Sequence, residues 1–269
     1  MTYRNFTKSG PEKAPENYER YFVPVIGRPL AEDLVGLAGL QSGERVLDVA
    51  CGTGIVARLA AKKVGSGGYV AGLDANPGLL AVARKLPAGK TSVEWYEANA
   101  EAMPLPDDSF DAVFCQMGLQ FMDDKVVALK EMRRVLVPGG RLILNLPGPA
   151  AKIFSLFEQS LDSHLSSDAA GFLNQVFSLH DRTKIQNLLT GAGFTETDIR
   201  SGVKELTLPP AQEFLWQYIY ATPLAALVAG AGDESCQMLE KDLENKWQAF
   251  RENGSIKDGQ PMVTVIARK

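Results

Sequence analysis

Histidine and cysteine are scarce: there are two of one and three of the other in 269 residues. Cys51, Cys115 and Cys236 are odd in number and lack framework spacing, which excludes a disulfide scaffold and suits a reducing, cytoplasmic setting. No His/Cys cluster has metal-ligand spacing, so no metal is expected. No apolar run approaches bilayer length, and the opening MTYRNFTKSGPEKAPENYER is too polar for a signal peptide or an anchor. Blocks of lysine and arginine are missing too. With a net charge of -4, a nucleic-acid partner is not expected. Repeats and low-complexity segments are also lacking.

What is present reads as globular, at 45% hydrophobic and 22% charged residues. The length suits one large α/β domain. From Arg45 to Leu146, apolar runs (RVLDVA, GYVAGLD, SVEWYEA, FDAVFCQ, RLILNLP) alternate with segments of helical periodicity (IVARLAAKKV, PGLLAVARKL, KVVALKEMRRVL). Strands apolar throughout and separated by helices predict a doubly wound, mostly parallel α/β sheet, joined by right-handed crossovers. Pro138-Gly139-Gly140 should stop a helix and turn the chain into RLILNLP. Residues 150–180 read as amphipathic helix interrupted by SSDAAG. A helix from Arg182, a turn at Gly191–Phe194 and a strand near Thr197–Val203 follow, then two helical segments over 209–252 and a final strand, PMVTVIARK. Helical insertions beside the carboxyl ends of strands are expected to cover a substrate.

The chemistry is expected around Asp48-Val49-Ala50-Cys51-Gly52-Thr53-Gly54. A buried strand ends, and a glycine-rich bend opens a helix at Ile55. Gly52 and Gly54 would let a ligand approach where a Cβ would collide, and the helix N-terminus offers free N–H groups. Gly52-x-Gly54-x-x-Ala57, with Asp74 about 20 residues on, also fits a nicotinamide dinucleotide. Asp48 separates the readings. A carboxylate at about 6 Å from a pyrophosphate repels it by roughly 3 kcal/mol at an effective dielectric of 20. The same carboxylate favours the ammonium and sulfonium of S-adenosyl-L-methionine. Asp48, Ala50, Gly52, Thr53 and Gly54 are therefore expected to line that cofactor. Asp74, with Ala75 and Asn76 beside it, should hold ribose hydroxyls. Asn99, Ala100 and Glu101 should hold adenine, with the loop MPLPDDSF as a wall; an ordinary Asx turn would also explain Asn99.

VLDVACGTG, GLDANPGLLAVARK, ANAEAMPLPDDSFDAVFCQMGLQFM and EMRRVLVPGGRLIL together resemble the class I S-adenosylmethionine-dependent methyltransferases. More narrowly they are similar to the type-11 methyltransferase domain family, which includes the ubiquinone/menaquinone C-methyltransferases. The match covers roughly residues 45–146, with a weaker echo in FSLHDRTKIQNLLTGAGF. The resemblance implies a Rossmann-like sheet of seven strands, the last antiparallel. It implies that Gln116 touches cofactor and acceptor, with Gln120 on the acceptor side, and that Tyr18, Tyr21 and Phe22 belong to a lid. Asn99 stands where many relatives carry Asp, which weakens that contact. The expected organisation is one domain over 1–269: a helical cover in 1–40, a cofactor-binding core in 41–149, and covering insertions at 150–180 and 209–252.

The expected reaction is methyl transfer to a small, hydrophobic acceptor at oxygen, carbon or nitrogen, leaving S-adenosyl-L-homocysteine. A non-catalytic cofactor-binding module is the alternative, ahead of a nicotinamide oxidoreductase. If a proton must move, His164, His180 and Tyr21 are the candidates. The apolar character of KIFSLFEQSL, FLNQVFSL and EFLWQYIYATPLAALV suits a quinol, phenol or lipid-like acceptor, although burial against the sheet explains it equally. CQMG stands where DNA amino-methylases carry Asn-Pro-Pro-Tyr, and the cysteines do not cluster as arsenite would require. A homodimer is allowed.

Overall fold

The computed structural model describes residues 10–89 and 91–269. Residues 1–9 of the expected N-terminal cover, and Lys90, lie outside the described residues.

The described chain opens with a 3-10 turn at Pro11–Lys13, α1 (Ala14–Asn17), a π-helix over Tyr18–Gly27 and α2 (Arg28–Leu37). The alternating stretch follows as β1 (Arg45–Val49), α3 (Ile55–Val64), β2 (Tyr69–Asp74), α4 (Pro77–Ala83), β3 (Val93–Glu97), β4 (Phe110–Gln116), α5 (Lys125–Val135) and β5 (Leu136–Pro147). Then come α6 (Lys152–His164), α7 (Ser167–Val176), α8 (Arg182–Gly191), β6 (Glu196–Leu208), α9 (Ala211–Tyr220), α10 (Leu224–Val228) and α11 (Asp233–Trp247). The two-residue β7 (Arg251–Glu252) and β8 (Ser255–Arg268) follow.

By its internal contacts the chain divides into two compact units. The sheet unit holds Arg28–Gly148, Leu179–Gly202 and Met262–Lys269; the helical unit holds the described residues up to Gly27, with Pro149–Ser178 and Val203–Pro261. Of the expected cover of 1–40, α2 falls in the sheet unit.

Strands run in the order β3-β2-β1-β4-β5-β8-β6, and short β7 adds an eighth strand by pairing with β8. β3, β2, β1, β4 and β5 are parallel, and β8 runs antiparallel to β5. Leu47, Val49, Val113, Cys115 and Leu144 share one core with Leu129 and Met132 of α5 and Ile185 and Leu189 of α8. α2 and α3 pack against β1, β2, β4 and β5, and Asp48, on the face away from that core, bonds into α3. Both faces are thus covered, which is why these strands carry apolar residues on both sides. Chain order reverses between β1 and β4, and this opens a crevice at their carboxyl ends.

Local chemistry explains the boundaries. Asn76 caps α4, with Pro77 at the first helical position. Asp124 and Asp181 cap α5 and α8. Ser166 accepts from the Ala169 N–H and starts α7, so SSDAAG begins a helix and does not interrupt one. Residues 209–252 hold three helices, not two, and Pro223 stands immediately before α10. β6 and β8 also run longer than the expected strands at Thr197–Val203 and PMVTVIARK.

The helical unit has an aromatic centre. Tyr218 packs against Phe22, Phe154, Phe157 and Phe214 at centroid separations of 5.5–6.3 Å. Trp247 is fully buried against Phe157 and Phe214, and its indole N–H donates to Ile153 O at 3.0 Å. Each such pair adds about 0.5–1.5 kcal/mol beyond area burial. The apolar stretches expected to meet an acceptor thus build this unit's own core.

Candidate functional site

The crevice between β1 and β4 is built from two strained loops. Ala50 (φ +53°) and Met117 (φ +47°) adopt left-handed backbone without being glycine, one at each strand's end. Each costs on the order of 1–3 kcal/mol, and such strain collects where geometry serves function. Gly118 lets the loops meet, since a Cβ there would lie 2.6 Å from that of Ala50.

The bend after β1 is held by its neighbours. The Gly52 N–H donates to Asp74 Oδ2 at 2.7 Å, and the Cys51 N–H to Leu73 O at 3.1 Å. Gly52 (φ +57°) is left-handed. Thr53 is buried, and its carbonyl accepts from Arg58 Nη1. Asp74 is half-buried; Oδ1 takes the Asn76 N–H at 2.8 Å, and burial raises its pKa. With the Ala75 N–H on it as well, the carboxylate keeps capacity for a further donor such as a ribose hydroxyl.

Two expectations here are corrected. Asp48 does not face a ligand as an exposed charge. It is 1% exposed, its Oδ2 accepts the Ala57 N–H at 2.9 Å, and burial pushes its pKa up to about 8. An aspartate protonated near neutral pH cannot supply the expected charge repulsion. It opposes phosphate differently, by occupying a first-turn N–H of α3 that an anion would need. Gly54 also differs from expectation. A Cβ there would run into the Trp95 indole, and one at Gly72 would lie 2.6 Å from Trp95 Cε3. Register explains this: Trp95, Gly72 and Asp48 lie side by side on one sheet face. Gly54 therefore makes room for the protein's own indole.

Asn99 is exposed and forms the Asx turn, its Oδ1 accepting the Glu101 N–H at 2.8 Å. Glu101 Oε1 accepts the Asp124 N–H, Ala75 is exposed and Ala100 buried. Asn76 is spent as a cap, accepting from Gly78 and Leu79. In MPLPDDSF, Met103 and Leu105 join the core, and Arg134 clamps the loop through Met103 O, Leu105 O and Asp107.

Gln116 ends β4, half-buried. Gln120 follows in a 3-10 turn at Leu119–Phe121, buried, with both amide atoms lacking a partner among the described residues. Asn145, at the end of β5, is buried with Oδ1 equally unsatisfied. A buried unsatisfied polar atom costs about 1–3 kcal/mol. Asn145 and Trp95 were not among the expected site residues. Asn145 was readable as the one amide inside an apolar strand, whereas nothing in sequence placed the indole over the glycines.

His164 and Tyr21 belong to the helical unit. His164 Nε2 lies 3.3 Å from Asp242 Oδ2, which also takes Lys246 Nζ and Ser160 Oγ. Tyr21 lies under Arg20, and Tyr18 stacks on Phe22 with centroids 4.7 Å apart. His180 is exposed in the sheet unit, just before the cap of α8. Among the described residues, no helix is long and apolar enough to cross a membrane.

Residues 47–144 match the family described as Methyltransferase domain. Over 172 residues the chain is 35% identical to a ubiquinone/menaquinone biosynthesis C-methyltransferase of Pectobacterium atrosepticum, covering 58% of this chain and 68% of that one. Among solved structures, a putative methyltransferase from Bacillus halodurans superposes with a TM-score of 0.61 at 22% identity, over 89% of this chain and 98% of that one. A phosphoethanolamine N-methyltransferase 2 of Haemonchus contortus, in complex with S-adenosyl-L-methionine, gives 0.59 at 20% identity, over 100% and 60% respectively. Likeness at such identities concerns the fold.

Proposed function

The chain belongs to the S-adenosylmethionine-dependent methyltransferase-domain family that includes the ubiquinone/menaquinone biosynthesis C-methyltransferases, and on that premise we propose that it methylates a small organic acceptor at the crevice between β1 and β4. The observation that carries the location is the pair of strained residues, Ala50 and Met117, on the two loops that meet there.

The residues fit the cofactor. The Ala50–Gly52 backbone would face its methionine part, Asp74 its ribose hydroxyls, and the Asn99–Glu101 turn its adenine edge. Gln116 would stand between cofactor and acceptor. Asp48 and Gly54 would serve by supporting the bend from within, through the Ala57 N–H and the space left for Trp95. When bound, the cofactor supplies a methyl group on a positively charged sulfur, ready for in-line displacement. The chain's own part is alignment: the strained bend is preset before binding, and alignment of this kind supplies much of the acceleration. We assign no general base, since His164 is tied to Asp242 in the helical unit.

Calorimetry with S-adenosyl-L-homocysteine and with NAD tests the site. Saturable binding of the first alone is expected, and binding of NAD alone would remove the reading. Incubation with labelled methyl donor and a panel of quinols, phenols and amines then separates an enzyme from a binding module, which would label nothing.

A further inference from the structure

Along the parallel strands, α3 joins β1 to β2, α4 joins β2 to β3 and α5 joins β4 to β5. Residues 98–109, between β3 and β4, form no helix, and connections of that length without structure of their own are uncommon in compact domains. The segment's polar groups are met from α5 instead, largely by one side chain. Arg134 Nε donates to Glu131 Oε1 at 2.6 Å. Nη1 donates to Leu105 O at 2.7 Å and to Asp107 Oδ1 at 2.6 Å. Nη2 donates to Met103 O at 3.1 Å and to Glu131 Oε2 at 2.8 Å. The five N–H donors of a guanidinium thus meet five acceptors. Glu131 Oε2 also accepts the Met103 N–H at 2.8 Å.

Stability does not call for this clamp. Met103 and Leu105 already hold the segment to the core that α5 shares. The Arg134 and Asp107 side chains are 29% and 69% exposed, and ion pairs so placed contribute little. What a planar fork adds is geometry, because it sets several partners in fixed directions at once.

That geometry reaches the turn at Asn99–Glu101. The Ala102 N–H donates to Asn99 O at 3.1 Å, and the Asp124 N–H, at the start of α5, to Glu101 Oε1 at 3.0 Å. Tethers to α5 therefore stand on both sides of Ala102. Within the turn, Asn99 Oδ1 accepts the Glu101 N–H at 2.8 Å, which orients the amide. A carboxylate would offer oxygen either way round. An amide offers oxygen one way and N–H groups the other, so what Asn99 presents depends on how the turn is held.

We propose that Arg134, acting through Glu131 and the Met103 backbone, is a positioning residue for the base of the cofactor: it holds the turn so that Asn99 presents oxygen, and so makes the site select an amino purine over an oxo purine. This rests on the cofactor reading above, in which the turn meets the adenine edge.

Calorimetry on the full chain with S-adenosyl-L-homocysteine and S-inosyl-L-homocysteine tests this. The inosyl base carries an oxo group and a ring N–H in place of the amino group and ring nitrogen. The parent is expected to favour S-adenosyl-L-homocysteine about tenfold or more, since a fixed turn leaves groups unpaired against the reversed pattern. Arg134→Lys keeps the charge and loses the fork. Its preference should fall by about threefold or more, with S-adenosyl-L-homocysteine weakened and the inosyl ligand unchanged or tighter. A clamp that only stabilises the fold would lower the urea midpoint and leave the ratio of the two Kd values as in the parent, and that result overturns the proposal. So does a parent that binds both ligands equally or prefers the inosyl one, although its binding of S-adenosyl-L-homocysteine would leave the cofactor reading standing. A parent that binds neither removes that reading and this role together. Should Arg134→Lys fail to fold, Glu131→Gln decides by the same ratio, because one amide oxygen cannot serve both the Arg134 fork and the Met103 N–H.

Discussion

Asp48 Oδ2 accepts the Ala57 backbone N–H at 2.9 Å, so a side chain on the central strand caps a helix whose own N-cap, Gly54, has none to offer. The bond joins strand, bend and helix into one piece. It also takes up a donor that a phosphate would use, although the carboxyl is buried and, with its pKa near 8, largely protonated at neutral pH.

That burial makes stability depend on pH in a stated direction. The Asp48 pKa rises from an ordinary 3.8 to about 8 on folding, so its contribution is complete below pH 3.8 and is lost as pH climbs to about 8. Asp48→Asn keeps an oxygen for the Ala57 N–H but does not titrate. The Tm of the variant minus that of the parent should grow between pH 4 and 8 and then level off. A difference that stays flat over this window would show that Asp48 is not held protonated.

Gly54→Ala should destabilise the protein by roughly 2–4 kcal/mol, from overpacking against Trp95 and a left-handed alanine. Adding Trp95→Leu should recover more than half of the overpacking loss in urea melts. If it recovers none, the indole is not what Gly54 accommodates.

Asp74→Ala should weaken S-adenosyl-L-homocysteine by roughly 2–4 kcal/mol, through loss of charge-assisted bonds to hydroxyls and of the tie to the Gly52 N–H. An unchanged Kd would take Asp74 out of the site.

In the helical unit, Trp247→Phe removes the indole bond to Ile153 O, a carbonyl within α6, and leaves a void beside Phe157 and Phe214. A cost of about 2–4 kcal/mol is expected in the urea midpoint. A loss under about 0.5 kcal/mol would mean that the cluster repacks freely.

Most of the sheet was legible because its signal is local. Runs such as RVLDV and FDAVFCQ are apolar on both faces and can only be buried strands. The caps at Asn76, Asp124 and Asp181 sit beside the helices they start. The division into two units was not legible, because it depends on which distant segments share a core. The same limit applies to the site. Asp74 could be read from its place at a strand end, whereas the partners of Asp48 and Gly54 lie nine and 41 residues away in sequence, at Ala57 and Trp95. An acidic residue near a glycine bend looks the same in sequence whether it points at a ligand or into the core.

β8 is synthesised after every other strand, yet it lies between β5 and β6. Until residues 255–268 leave the ribosome, the nascent chain carries Leu142–Leu146 with the far edge of β5 open, an apolar ribbon ready to pair with any extended neighbour. Completion of the sheet therefore waits on a segment made after the strands it joins and on contacts of long sequence separation, which slow folding. Chaperone demand during translation should peak just before β8 emerges, and chains cut short within it should aggregate before losing their helices.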